Sequence, residues 1–100
     1  GEPARRPDEL VAALSRLFER TPQVTRAFLA HFLDPSSGEK SHTLVAIDVT
    51  GEFHGVAAAA DMVCRYVEVP DPPVDFVQLT GRTGVEDYFR DKEPFYRKGG

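Results

Sequence analysis

The chain has no tryptophan, a single cysteine and a single methionine in 100 residues. One cysteine, Cys64, excludes an intrachain disulfide and a thiolate metal cage, and it points to a reducing, cytoplasmic setting. There is no basic excess: 12 Lys and Arg stand against 16 Asp and Glu, a net charge of -4. Non-specific nucleic-acid binding draws its affinity from phosphate neutralisation, so this balance argues against that function. The densest basic group, Arg5, Arg6, Arg16 and Arg20, reads as a solvated helix face. No apolar run approaches the roughly 20 residues that span a bilayer, and no signal peptide is visible, so no membrane partner is expected. The first residue is glycine, as expected of a fragment.

What is present is an ordinary globular composition, 41% hydrophobic and 28% charged, enough for one domain with one modest core. Residues 1–7 read as a flexible leader and 8–98 as the domain. Asp8 and Glu9 suit the first turn of a helix, and Leu10, Leu14, Leu17 and Phe18 recur at helical spacing until Thr21-Pro22 stops it. Val24 to Leu33 reads as a strand with apolar groups on both faces. After a polar loop, Thr43 to Val49 reads as its antiparallel hairpin partner. Thr50-Gly51 turns the chain into a second helix with Phe53, Val56, Ala57, Ala60, Val63 and Cys64 on one stripe. The small run from Ala57 to Ala60 suits close approach to a sheet. Val74 to Leu79 is a third strand, reached by a crossover that is right-handed if the strands are parallel. Thr83-Gly84-Val85-Glu86 has the form of a capping box, opening a short helix with Val85, Tyr88 and Phe89 on one side. The expected fold is α+β, ordered helix-strand-strand-helix-strand-helix, with a three-stranded, mostly antiparallel sheet and helices on one face.

Four segments carry a family resemblance. They are Pro22-Gln23-Val24 leading to Ala27-Phe28-Leu29, Ser37-Gly38-Glu39 with His42-Thr43-Leu44-Val45-Ala46-Ile47, Val74-Asp75-Phe76-Val77-Gln78-Leu79, and Glu93-Pro94-Phe95-Tyr96-Arg97. Together, and in this order, they resemble the C-terminal domain of the SseB (enhanced serine sensitivity) family over about residues 8–98. The resemblance implies a bacterial protein with an amino-terminal domain ahead of this one. It brings a serine-sensitivity phenotype but no reaction, cofactor or catalytic set.

The residues themselves nominate little chemistry. Ser37 and Lys40 have the S-x-x-K spacing of some serine acylases, but they fall in a loop where the lysine stays solvated and charged. His31, His42 and His54 lack the spacing of a metal site; His42 reads as a hairpin residue and His54 as a solvent-facing one. Cys64, late in its helix, reads as a small core residue rather than a nucleophile. Asp48 and Asp75 read as solvent-facing or capping carboxylates rather than an acid–base dyad. Gly81-Arg82-Thr83-Gly84 is too short for a phosphate loop.

Pro94-Phe95-Tyr96 is the most informative feature. Aromatics near a terminus either fold back as a clasp, the preferred reading, or insert into a partner or a second copy. Phe28, Phe32, Phe95 and Tyr96 are therefore the candidate interaction residues. The expected function is a non-catalytic protein-interaction or dimerisation module, not an enzyme, with no cofactor and either itself or a cytosolic protein as partner. The alternative is a domain that senses a small molecule, an amino acid or a sulfur metabolite.

Overall fold

The computed structural model describes residues 8–32, 42–67, 69, 74–79, 81 and 83–99, excluding the side chains of residues 31, 32, 42 and 83. The expected leader at 1–7, and Ser37 and Lys40 with their loop, lie outside the described residues.

Helix α1 (Asp8–Glu19) buries Leu10, Leu14 and Phe18, spaced four apart along one face. Its end is finished by local bonds: Arg20 N–H donates to the Leu17 carbonyl at 3.0 Å and the Thr21 hydroxyl donates to the same oxygen at 2.8 Å. These satisfy a carbonyl that the helix itself leaves open. Strands β1 (Val24–Phe32) and β2 (His42–Val49) form the expected antiparallel hairpin. At its base the register slips, since Val24 pairs with Val49 but Arg26 pairs with Asp48, so Thr25 is an extra residue. This bulge lets Val24 and Ala27, three apart, both reach the same core, and it sends Arg26 to the other face.

Thr50-Gly51 follows β2, with Gly51 at φ +96°, a conformation that strains any residue with a Cβ. Helix α2 (His54–Cys64) then carries the chain back to β3 (Val74–Gln78), which pairs parallel to β2. Helix α3 (Thr83–Phe89) and β4 (Tyr96–Arg97) complete the chain. The sheet order is β3-β2-β1-β4.

Three expectations need correction. The sheet has four strands, not three, because Tyr96–Arg97 pairs antiparallel with Arg26–Ala27. The helices also do not share one face. Helices α1 and α2 cover the face of Val24, Ala27, Val45, Ile47 and Val49, while Phe89 of α3 closes the opposite face over Phe28, Ala46 and Leu79. The reason lies in β1 and β2, which are apolar on both faces and so need cover on both. Tyr88 is a third correction: it does not join Val85 and Phe89 inside but is 54% exposed, edge-on to Phe89 at 4.8 Å.

Candidate functional site

Three surfaces hold the residues worth weighing. The first is the closing aromatic pair. Phe95 N–H donates to the Ala27 carbonyl at 2.9 Å and Lys98 N–H to that of Thr25 at 2.9 Å, so the segment zips onto β1. The rings of Phe95 and Tyr96 lie 6.2 and 5.6 Å from Phe18, and the Tyr96 hydroxyl donates to the Phe18 carbonyl at 3.2 Å. The aromatics thus form a clasp within the chain. A shallow cleft of about 410 Å³ runs beside it, lined by Ser15, Glu19, Phe95, Tyr96, Arg97 and Gly99.

The second surface is an open groove of about 290 Å³ on the α3 side, lined by Arg26, Phe28, Leu79, Glu86, Phe89 and Arg90. Three ionisable groups line it, and each has a local partner. The Arg26 guanidinium meets the Asp48 carboxylate at 3.1 Å, Arg90 pairs with Asp87, and Glu86 accepts from Gly81 N–H at 3.2 Å. The last bond is the reach-back half of a capping box, made to a residue two positions before Thr83. Phe28 forms the floor; at 2% exposure and 5.1 Å from the Phe89 ring, it serves the core.

The other nominated residues are dispersed. In the hairpin, His31 pairs with Thr43 and His42 with Phe32, so the two histidines are not cross-strand partners. His54 is exposed beside Phe53. Asp75 is exposed and sits opposite Leu44, four strand residues (about 13 Å) from Asp48. Cys64 is half-buried, and burial, followed by the nearby Asp61 carboxylate, pushes its thiol pKa up, opposite to what a nucleophile needs. Among the described residues no three of His, Cys, Asp and Glu gather as a metal site.

The third surface was missed in the sequence. Helix α2 buries Val56 and Ala60, but Gly55, Ala58, Ala59 and Met62 are exposed, as is Tyr66 just beyond its end. Met62 is 58% and Tyr66 83% exposed. The signal was present: between Gly55 and Cys64 the only charged residue is Asp61. Apolar residues thus extend beyond the side of α2 that the sheet covers, and the exposed charges beside them, Asp61 and Arg65, pair with each other at 3.7 Å.

The architecture is thus a small mixed α/β domain with one four-stranded sheet, covered on both faces and closed by a terminal clasp. The chain belongs to the SseB protein C-terminal domain family, whose model matches residues 1–98. No curated protein and no solved structure is significantly similar to it. Among the described residues, no helix is long and apolar enough to cross a membrane.

Proposed function

We propose that this domain is a non-catalytic protein-interaction module that works through the outward face of α2. The observation that carries this reading is the apolar stripe of Ala58, Ala59, Met62 and Tyr66, exposed in a chain whose other large apolar side chains are mostly spent in its own core. Contiguous exposed apolar surface marks contact with another molecule more often than isolated residues do. Tyrosine and methionine are also side chains that interfaces favour. The four aromatics first nominated do not form this surface: Phe28, Phe95 and Tyr96 pack within the chain, and the Phe32 side chain lies outside the described residues.

A photo-crosslinking amino acid placed at Ala58 or Met62 in cells tests the reading. Adducts to an identified protein are expected at these positions and not at Asp75 or Glu9, with the adduct mapped by mass spectrometry. Equal labelling at all four positions, or none at any, would contradict it.

A second reading, small-molecule sensing, is favoured by one observation: the α3-side groove sets Arg26, Arg90 and Glu86 around a Phe28–Phe89 floor, a mixture suited to a small zwitterion. It ranks second because the groove is open and its charges are already paired. A ligand at 100 times its dissociation constant stabilises a protein by about 2.7 kcal/mol. A thermal-shift screen with amino acids and sulfur metabolites would then show a rise of several degrees, and no rise at millimolar ligand removes this reading.

A further inference from the structure

We infer that the carboxy-terminal end of α1, with the clasp strand β4 beside it, is a docking surface for an acidic segment of a partner protein. This goes beyond the α2 reading and does not rest on it. It starts from how the cations are matched. Arg26 meets Asp48, Arg65 meets Asp61 and Arg90 meets Asp87, while Lys92 lies over the Tyr88 ring at 5.2 Å. Among the described residues the remaining cations are Arg16, Arg20, Arg97 and Lys98. All four are exposed, and none meets a carboxylate.

These four come from the two ends of the chain and are gathered by the clasp. Arg16 and Arg20 stand about one turn apart at the end of α1. The Tyr96 hydroxyl donates to the Phe18 carbonyl and the Lys98 ammonium to the Pro22 carbonyl at 3.0 Å, which sets β4 against that end. Arg97 borders, with Ser15 and Glu19, the cleft of about 410 Å³ beside the clasp. Residues 15–25 and 95–99 hold the four cations against one carboxylate, Glu19, a local charge of +3 in a chain of net charge -4. The carboxy-terminal pole of a helix attracts cations, and that accounts for Arg16 and Arg20. It does not account for Arg97, which stands opposite Arg26 in the β1–β4 ladder. Like charges directly opposite each other weaken a ladder, and Asp48 neutralises only Arg26. An anion brought from outside relieves this repulsion.

The chemistry of the surface selects its occupant. Guanidinium forks take carboxylates through two parallel hydrogen bonds. A nucleic acid fits less well: the chain as a whole is acidic and repels a long polyanion, and Phe95 and Tyr96 pack on Phe18 rather than standing out as stacking platforms. A membrane fits less well too, since none of the exposed large apolar side chains, Met62, Tyr66 and Tyr88, belongs to α1 or β4. An acidic protein segment needs neither a stacking platform nor an apolar wedge.

Fluorescein-labelled octaglutamate titrated into the whole chain, with amide shifts recorded in parallel, tests the inference. At about 20 mM salt charges are felt over about 20 Å, against about 7 Å at 200 mM. Binding at the lower salt is expected with a dissociation constant on the order of 0.1–1 mM, and at least about fivefold weaker at the higher salt. The shifts should centre on Arg16, Arg20, Arg97 and Lys98. Arg20→Glu with Arg97→Glu should weaken binding at least about tenfold, while Arg65→Glu with Arg90→Glu, an equal change in net charge, should weaken it less than about twofold. The shift map is read on the unaltered chain, so it decides the matter even where a variant unfolds. No binding, shifts centred elsewhere, or equal losses in the two double variants would overturn the inference. Tighter binding of an oligothymidylate of equal charge, or of phosphatidylserine vesicles, would overturn it as well and assign the surface to nucleic acid or lipid.

Discussion

Phe18 joins the two ends of this chain. It is fully buried in α1, it meets both Phe95 and Tyr96, and its carbonyl accepts the Tyr96 hydroxyl. Phe18→Ala should therefore cost about 3–5 kcal/mol in urea unfolding, the range for large aromatics removed from a core. Tyr96→Phe removes one partly buried hydrogen bond and should cost about 1 kcal/mol; equal losses in the two variants would mean the clasp is not packed as described. Cys64 gives a pH test. Its folded pKa lies above the ordinary thiol value, through burial first and Asp61 second. The folded state therefore holds the thiol proton more tightly than the unfolded state does. The stability this contributes is fully present below the unfolded thiol pKa and is lost as pH rises through the folded one. The rate of alkylation by iodoacetamide should rise at higher pH in the native chain than in urea, and Asp61→Asn should narrow that gap. A native profile at or below the unfolded one would contradict the burial of Cys64.

At the scale of elements, the bulge at Thr25 and the two-residue strand β4 do the most with the fewest residues. Deleting Thr25 removes the extra residue and leaves Val24 and Ala27 two apart, so a regular ladder still turns both to the core. A cooperative melt is therefore expected by circular dichroism, with the midpoint lowered by no more than about 5 °C. Ending the chain at Pro94 removes the clasp, uncovers Phe18 and leaves the Ala27 carbonyl without its Phe95 donor; a midpoint drop of at least about 10 °C is expected. A melt unchanged by this truncation would show that β4 adds nothing. These elements also mark where reading the sequence stopped. Helix α1 and the hairpin were legible because Leu10, Leu14 and Phe18 repeat at helical spacing and Val45, Ile47 and Val49 alternate. Two residues cannot show alternation, so Tyr96–Arg97 read as a clasp without strand pairing. The side on which α3 packs is not written in α3. It follows from Phe28 and Ala46, whose face of the sheet would otherwise be bare.

The whole molecule has a radius of gyration of 13.1 Å, close to the roughly 13 Å expected of 100 packed residues. Both faces of its sheet are covered by its own helices, so the sheet needs no partner as cover. The uncovered apolar surface has moved to the back of α2. That face was hidden in the sequence by its small residues: the run from Ala57 to Ala60 reads as a helix fitted against a sheet, and it is, but only through Ala60 and part of Ala57. Ala58 and Ala59 point the other way, and their exposure became visible only once the sheet's position was known. Aromatics drew the sequence reading toward Phe28, Phe95 and Tyr96, because ring area is the strongest single indicator of contact energy. The fold spends those rings on itself. The central claim, that the working surface of this domain is the outward side of α2, is tested most directly by nuclear magnetic resonance. Amide shifts of the isotopically labelled chain, followed as the protein identified by crosslinking from Ala58 or Met62 is added, should move for residues between Gly55 and Tyr66 and stay fixed around Arg26, Glu86 and Arg90. Shifts confined to the groove, or none on α2, would contradict the account.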